Sequence, residues 1–171
     1  ATNFFFYTGD LETNLDNKLE LNVACETLSI VLLEEIREKE GGTYGISAYG
    51  GLESVGESTG YMQIVYQCSP DKYEYLNSRV EAIVAEFLEK GPVEENLAKT
   101  KEYLSKKYKQ NQTENSYWQS VMTSWLQYGA DYHTGYLEAV EALNADTVKN
   151  CLKSVVDQNN VKTVVMVGTQ K

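Results

Sequence analysis

Histidine is nearly absent: the 171 residues include one, His133. A catalytic zinc site needs three protein ligands and an open position for water. No His-x-x-Glu-His, His-x-x-x-His or paired cysteines occur, so the chain cannot supply a histidine-based site of that kind, and no metal ligand is assigned in it. A serine or cysteine hydrolase would have to use His133 as base, and no Gly-x-Ser-x-Gly elbow accompanies any serine. His133 itself lies in a polar loop and reads as a surface residue. Cysteine is also scarce: Cys25, Cys68 and Cys151 are odd in number, far apart and set on apolar stripes or strands. Buried free thiols are expected there, not a disulfide framework. Positive charge is in deficit, with 15 Lys and Arg against 25 Asp and Glu, a net charge of −10. Nucleic acid is therefore not an expected partner, since phosphate binding needs a basic face. No apolar run approaches the roughly 18 residues of a membrane span, and the longest, Val161 to Val167, is strand-like. The glycines at 41, 42, 45, 50 and 51 have neither a phosphate-loop lysine nor a Gly-x-Gly-x-x-Gly spacing, so no nucleotide cofactor is expected.

Hydrophobic residues at 42% and charged residues at 23% are ordinary for a soluble globular chain. At this length one domain, residues 1–171, is expected to bury a core. The chain opens on Ala1 inside strand-like residues, with no initiator methionine and no signal peptide. The expectation is a piece excised from a longer polypeptide, with any targeting segment upstream.

Phe4 to Thr8 reads as a first strand, its three phenylalanines pointing to burial on both faces. Asn14 or Asp16 can cap a helix that runs to Glu40. Thr43 to Tyr49 and Gly60 to Cys68 read as two strands, antiparallel, across the joint Gly50 to Thr59. Ser69-Pro70-Asp71 opens a helix with Tyr73, Leu76, Val80, Ile83/Val84 and Phe87 as its buried stripe, closed by Gly91-Pro92. A second, largely exposed helix starts at Val93-Glu94-Glu95-Asn96, with Leu97, Lys101, Leu104 and Tyr108 on its narrow apolar face. Thr113 or Asn115 can cap a third, which places Trp118, Val121/Met122 and Trp125 on one side and stops at Gly129. A short piece, Tyr136 to Leu143, precedes a final helix capped by Asn144, and Val161 to Val167 is a last strand. Strand, helix, two strands, several helices and a strand make an α+β layer fold.

The stretch that organises the chain is Ile36-Arg37-Glu38-Lys39-Glu40-Gly41-Gly42-Thr43-Tyr44-Gly45. Apolar residues at 21, 24/25, 28, 31/32 and 36 step by three and four, so Arg37 falls in the last turns of an amphipathic helix. Gly41 and Gly42 supply the C′ position and a chain reversal, because glycine enters positive φ without steric cost. Alternation then sets Tyr44 on a strand. Taken alone, Arg37 reads as a helix-end cation and Tyr44 as a strand residue packed on the core. The adjacent carboxylates Glu34/Glu35, Glu38/Glu40 and Glu94/Glu95 read as solvated surface, since helix neighbours do not face each other.

This segment closely resembles one found in the C-terminal, non-catalytic halves of the insulinase or pitrilysin family of zinc metallopeptidases, the superfamily of mitochondrial processing peptidase. The order of elements fits that family along nearly the whole chain. The resemblance implies a twisted, mostly antiparallel sheet with helices packed on one face. It also implies that zinc and its His-x-x-Glu-His helix reside in a partner, either the N-terminal catalytic half of the same protein or a paired subunit. This chain would then present Arg37 and Tyr44 to a peptide substrate in a shared chamber. In that family such a tyrosine donates to the scissile carbonyl as it becomes an oxyanion, and the arginine helps hold the substrate backbone. Preorganised donors of this kind contribute on the order of 2.7 to 4 kcal/mol each to barrier lowering. Gly45 beside Tyr44 either lets a peptide approach closely or serves packing. A catalytically inactive peptide-binding or scaffolding subunit of the same superfamily is the alternative, and an unrelated α+β binding module a weaker third.

Overall fold

The computed structural model describes residues 1–53 and 58–168. Its elements are β1 (Thr2–Asp10), α1 (Leu15–Leu32), a π-helix (Leu33–Lys39), β2 (Ile46–Glu53), β3 (Thr59–Gln67), α2 (Tyr73–Lys90), α3 (Glu94–Asn111), α4 (Asn115–Tyr128), α5 (Tyr136–Ala142), α6 (Ala145–Val156) and β4 (Asn160–Met166). The four strands form one antiparallel sheet in the order β2-β3-β1-β4. The α+β reading and its antiparallel sheet are therefore what the molecule adopts.

Period-two alternation decides the two faces of the sheet. Asn3, Phe5 and Tyr7 of β1 share a buried face with Met62, Ile64 and Tyr66 of β3 and Ile46 and Ala48 of β2. α1 and α6 lie over that face and α2 packs beside them, contributing Leu21, Leu28, Leu76, Val80, Leu152 and Val155 to one continuous core. The phenylalanine run is not buried on both faces as expected. Phe5 is fully buried, whereas Phe4 and Phe6 are half-buried on the opposite face. There the two rings stack 6.0 Å apart, and Phe6 stacks on Tyr61, also at 6.0 Å.

Caps follow the sequence where a short polar side chain can reach an orphan N–H. Asn14 accepts from Asn17 N at 2.8 Å at the start of α1. Asn144 accepts from Thr147 N at 3.0 Å at the start of α6, in a capping box with Thr147. α4 starts behind Glu114 without a side-chain cap, so neither Thr113 nor Asn115 serves. Similarly, Ser69 does not cap α2: its carbonyl accepts from Lys72 N at 3.0 Å in a turn, and the helix begins two residues after Asp71, at Tyr73. The loop expected from Gly50 is in fact strand as far as Glu53, paired with Thr59; residues 54–57 lie outside the described residues.

Candidate substrate-facing site

Two departures from the sequence pattern shape the segment that carries Arg37 and Tyr44. The long helix does not run as an α-helix to Glu40, because its last seven residues, 33–39, are a π-helix. π-turns are rare and concentrate at functional sites. The helix is then closed by two bonds, Gly41 N to Arg37 O at 3.1 Å and Gly42 N to Ile36 O at 3.0 Å. Each spans one residue more than its counterpart in a Schellman closure, as the wider turn requires. Gly41 takes φ +56°, the left-handed conformation glycine tolerates. Gly42 lies hard against α2, where an added Cβ would come within 2.6 Å of Leu76 Cδ2.

The second departure concerns Tyr44, which is not a strand residue. Thr43 Oγ1 donates to Gln67 O at 2.6 Å and accepts from Gly45 N at 3.3 Å, holding residues 43–45 as a loop across the end of β3. The ladder therefore starts only at Ile46, opposite Tyr66. Tyr44 projects from this loop with 100% exposure. Packing on the core, one reading of that residue, does not occur. Its hydroxyl bonds to no other described residue.

Both flanks of the loop are rigidly tied. On the helix side, Arg79 of α2 donates from Nε to Glu40 Oε1 at 3.1 Å and lies 3.9 Å from Glu35 Oε2 through Nη2. The Tyr75 hydroxyl donates to Glu40 Oε2 at 2.9 Å. On the strand side, Ser29 of α1 donates to Ala48 O at 3.0 Å and accepts from Ala48 N at 2.7 Å, setting the spacing of helix and strand. Arg37 itself is 48% exposed and touches only Glu38, 3.5 Å away, so its guanidinium remains open to a further partner. A cleft of about 480 Å³ beside the loop is lined by Gly41, Gly42, Thr43, Tyr44, Gln67, Cys68 and Ser69. Its lining includes Tyr44 and not Arg37. No Cβ neighbour lies within 4 Å of Gly45, so packing does not require a glycine there.

The clasp formed by Arg79, Tyr75 and Glu40 is absent from the sequence reading. The available signal was scarcity: Arg37 and Arg79 are the chain's two arginines among 15 basic residues.

Among the described residues no group of three His, Cys, Asp or Glu could hold a metal. Cys25 and Cys151 are buried free thiols and Cys68 is half-buried. Burial pushes Cys25 well up and Cys151 to about 12, so both stay protonated. His133 is not the free surface residue its loop implied. Its Nδ1 meets the hydroxyls of Tyr117 at 2.8 Å and Tyr108 at 3.1 Å, and its ring packs 4.9 Å from that of Trp118. Among the described residues, no helix is long and apolar enough to cross a membrane.

An antiparallel sheet covered by helices on one face carries the turn of Arg37 and Tyr44 at its edge. The family model described as the peptidase M16 inactive domain matches residues 3–104, and the chain belongs to that family. Solved structures agree in fold. The periplasmic protease PqqL from Escherichia coli superposes with a TM-score of 0.82 at 18% identity, over 95% of this chain and 18% of that one. The ferredoxin protease FusC, solved as a mutant in complex with Arabidopsis ferredoxin, gives 0.80 at 14% identity, over 95% and 18%. A peptidase M16 inactive domain from Pseudomonas fluorescens gives 0.75 at 20% identity, over 99% and 42%. The chain thus spans less than half the length of each of these proteins. Among curated proteins no sequence matches it.

Proposed function

We propose that this chain is the non-catalytic half of a zinc-dependent metalloendopeptidase, closing the catalytic chamber and binding peptide substrate through Arg37 and Tyr44. The observation that carries the reading is Tyr44: a large phenol held fully in solvent on a doubly anchored turn, where core packing gives it no role. Such a ring offers a ligand about 150–250 Å² of rigid surface to cover and a hydroxyl to bond. Membership of the M16 inactive-domain family supports the same reading, as does the presence of this fold within larger proteases.

In this reading the metal is held by a separate catalytic domain or subunit and supplies Lewis acidity and an activated water. The residues of this chain bind and orient. Arg37 presents its planar fork of donors to backbone carbonyls of the peptide. Tyr44 donates its phenolic proton in a hydrogen bond to the carbonyl oxygen that gains charge. Gly45 leaves room for a main chain to pass.

Tyr44→Phe in the whole enzyme tests this. Loss of one preorganised donor lowers kcat on the order of 10²-fold or more, with little change in unfolding midpoint because the side chain packs on nothing. Unchanged kcat would remove the clamp role and leave an inactive peptide-binding or scaffolding subunit as the better description.

A further inference from the structure

Lys18 stands where a lysine is poorly placed. It lies in the opening turns of α1, whose positive end disfavours a cation. Its ammonium is half-buried, and burial pushes its pKa down. No carboxylate of the described residues pairs with it, although acids exceed bases in the chain. Glu20, two residues on, is turned toward Thr147 and Cys151 of α6. Among the described residues the Lys18 charge rests on the face of Tyr132, 3.5 Å from Nζ to the ring centroid. Four lysines elsewhere, Lys39, Lys90, Lys99 and Lys106, each bind a carboxylate four residues away.

Lys18 also lines a cavity of about 200 Å³ between α1, α4 and the loop before α5. α4 turns Tyr117, Val121 and Ser124 toward this cavity, and α1 adds Leu15, Leu19 and Asn22. Neither Asn22 nor Ser124 spends its side chain on a hydrogen bond to another described residue. A cation with apolar and aromatic walls and two unused polar groups is the complement of one negative charge on a compact apolar body. The volume falls below the roughly 300–1,000 Å³ of pockets that enclose drug-sized ligands. That limits the occupant to about one residue.

We propose that this cavity binds a carboxylate carried on a small aliphatic group, with Lys18 taking the charge and Asn22 and Ser124 hydrogen-bonding its oxygens. The C-terminal residue of a peptide and a free small carboxylic acid share this chemistry. The inference stands apart from the roles given to Arg37 and Tyr44 and does not depend on them.

The test is calorimetric titration of the full-length protein with N-acetyl-leucine, its C-terminal amide, and Gly-Gly-Leu with a free carboxylate. Saturable binding of the two acids, with the amide weaker by about tenfold or more, a difference of 1.4 kcal/mol, is expected. Tighter binding of the tripeptide marks a peptide terminus as the natural occupant, and equal binding marks a free acid. Lys18→Met keeps the aliphatic stem and is expected to lose about tenfold in acid binding without lowering the unfolding midpoint. Should that variant misfold, Ser124→Leu, which fills the cavity from exposed α4, is expected to abolish binding instead. Equal affinity for acid and amide, no saturable binding of either acid, or full binding in Lys18→Met or in Ser124→Leu overturns the proposal.

Discussion

Tyr44 and Asn3 break the same rule in opposite directions. Tyr44 is a large apolar ring wholly in water, and Asn3 is a polar side chain wholly out of it. Asn3 Nδ2 lies 3.3 Å from Cys68 Sγ, but Oδ1 has no hydrogen-bond partner among the described residues. A buried acceptor left unpaired costs about 1–3 kcal/mol. Asn3→Val is therefore expected to leave stability unchanged or raise it by about 1 kcal/mol, read from the urea midpoint. A loss of more than about 1 kcal/mol would mean the amide contributes more than its one weak sulfur contact. Only part of this was legible in the chain. Tyr44 stands out in the motif, yet alternation placed it on a strand, because the Thr43 hydroxyl bond that holds residues 43–45 out of the ladder reaches a carbonyl 24 residues away. Asn3 precedes the apolar run that marks the strand, so its burial follows only from pairing opposite Tyr66 and Val165.

At the scale of elements, the turn between the π-helix and β2 separates glycines kept for conformation from one with no local need. Gly41→Ala forces an L-residue into φ +56° and is expected to cost about 1–2 kcal/mol, seen as a lower unfolding midpoint. Gly45→Ala meets no neighbour within 4 Å and is expected to shift stability by less than about 0.5 kcal/mol. If a peptide main chain passes there, the same change raises KM in the whole enzyme; an unchanged KM removes Gly45 from the proposed path. Gly41 was readable from sequence because its positive φ is a local requirement, whereas the need for Gly42 comes from its close approach to Leu76 of α2. The π-helix was not readable: Glu34, Glu35, Glu38 and Lys39 all favour an ordinary α-helix. The wider turn accompanies long-range contacts, with Ile36 in the core and Glu35 and Glu40 facing Arg79 of α2. Tertiary contact routinely overrides so weak a local preference.

Across the whole molecule, stability rests on the layer between α1 and the sheet. Leu28 lies in the C-terminal half of α1 with no exposed surface. Leu28→Ala is expected to cost about 2–5 kcal/mol, measured by denaturant titration. A loss below about 1 kcal/mol would show that the layer collapses around the gap. In contrast, Trp118, Met122 and Trp125 of α4 share a side, as their spacing says, but that side faces solvent, with Trp125 62% exposed. Spacing tells which residues travel together on a helix, not what lies opposite them.

By itself the sequence determined the order of elements, the cap at Asn144, the alternation of the strands and the Arg37…Tyr44 spacing on which the family resemblance was read, and it narrowed the first cap to Asn14 or Asp16. Each rests on bonds or periodicities spanning only a few residues, which propensity and steric limits fix wherever the chain goes. Tertiary structure alone decided the π-turn beneath Arg37, the release of Tyr44 from the strand, the closure of Arg79 on Glu40, and the meeting of Lys18 with Tyr132 beside a small cavity. Those features join residues far apart in the chain. Their energies arise only once the core has brought the helices and sheet together.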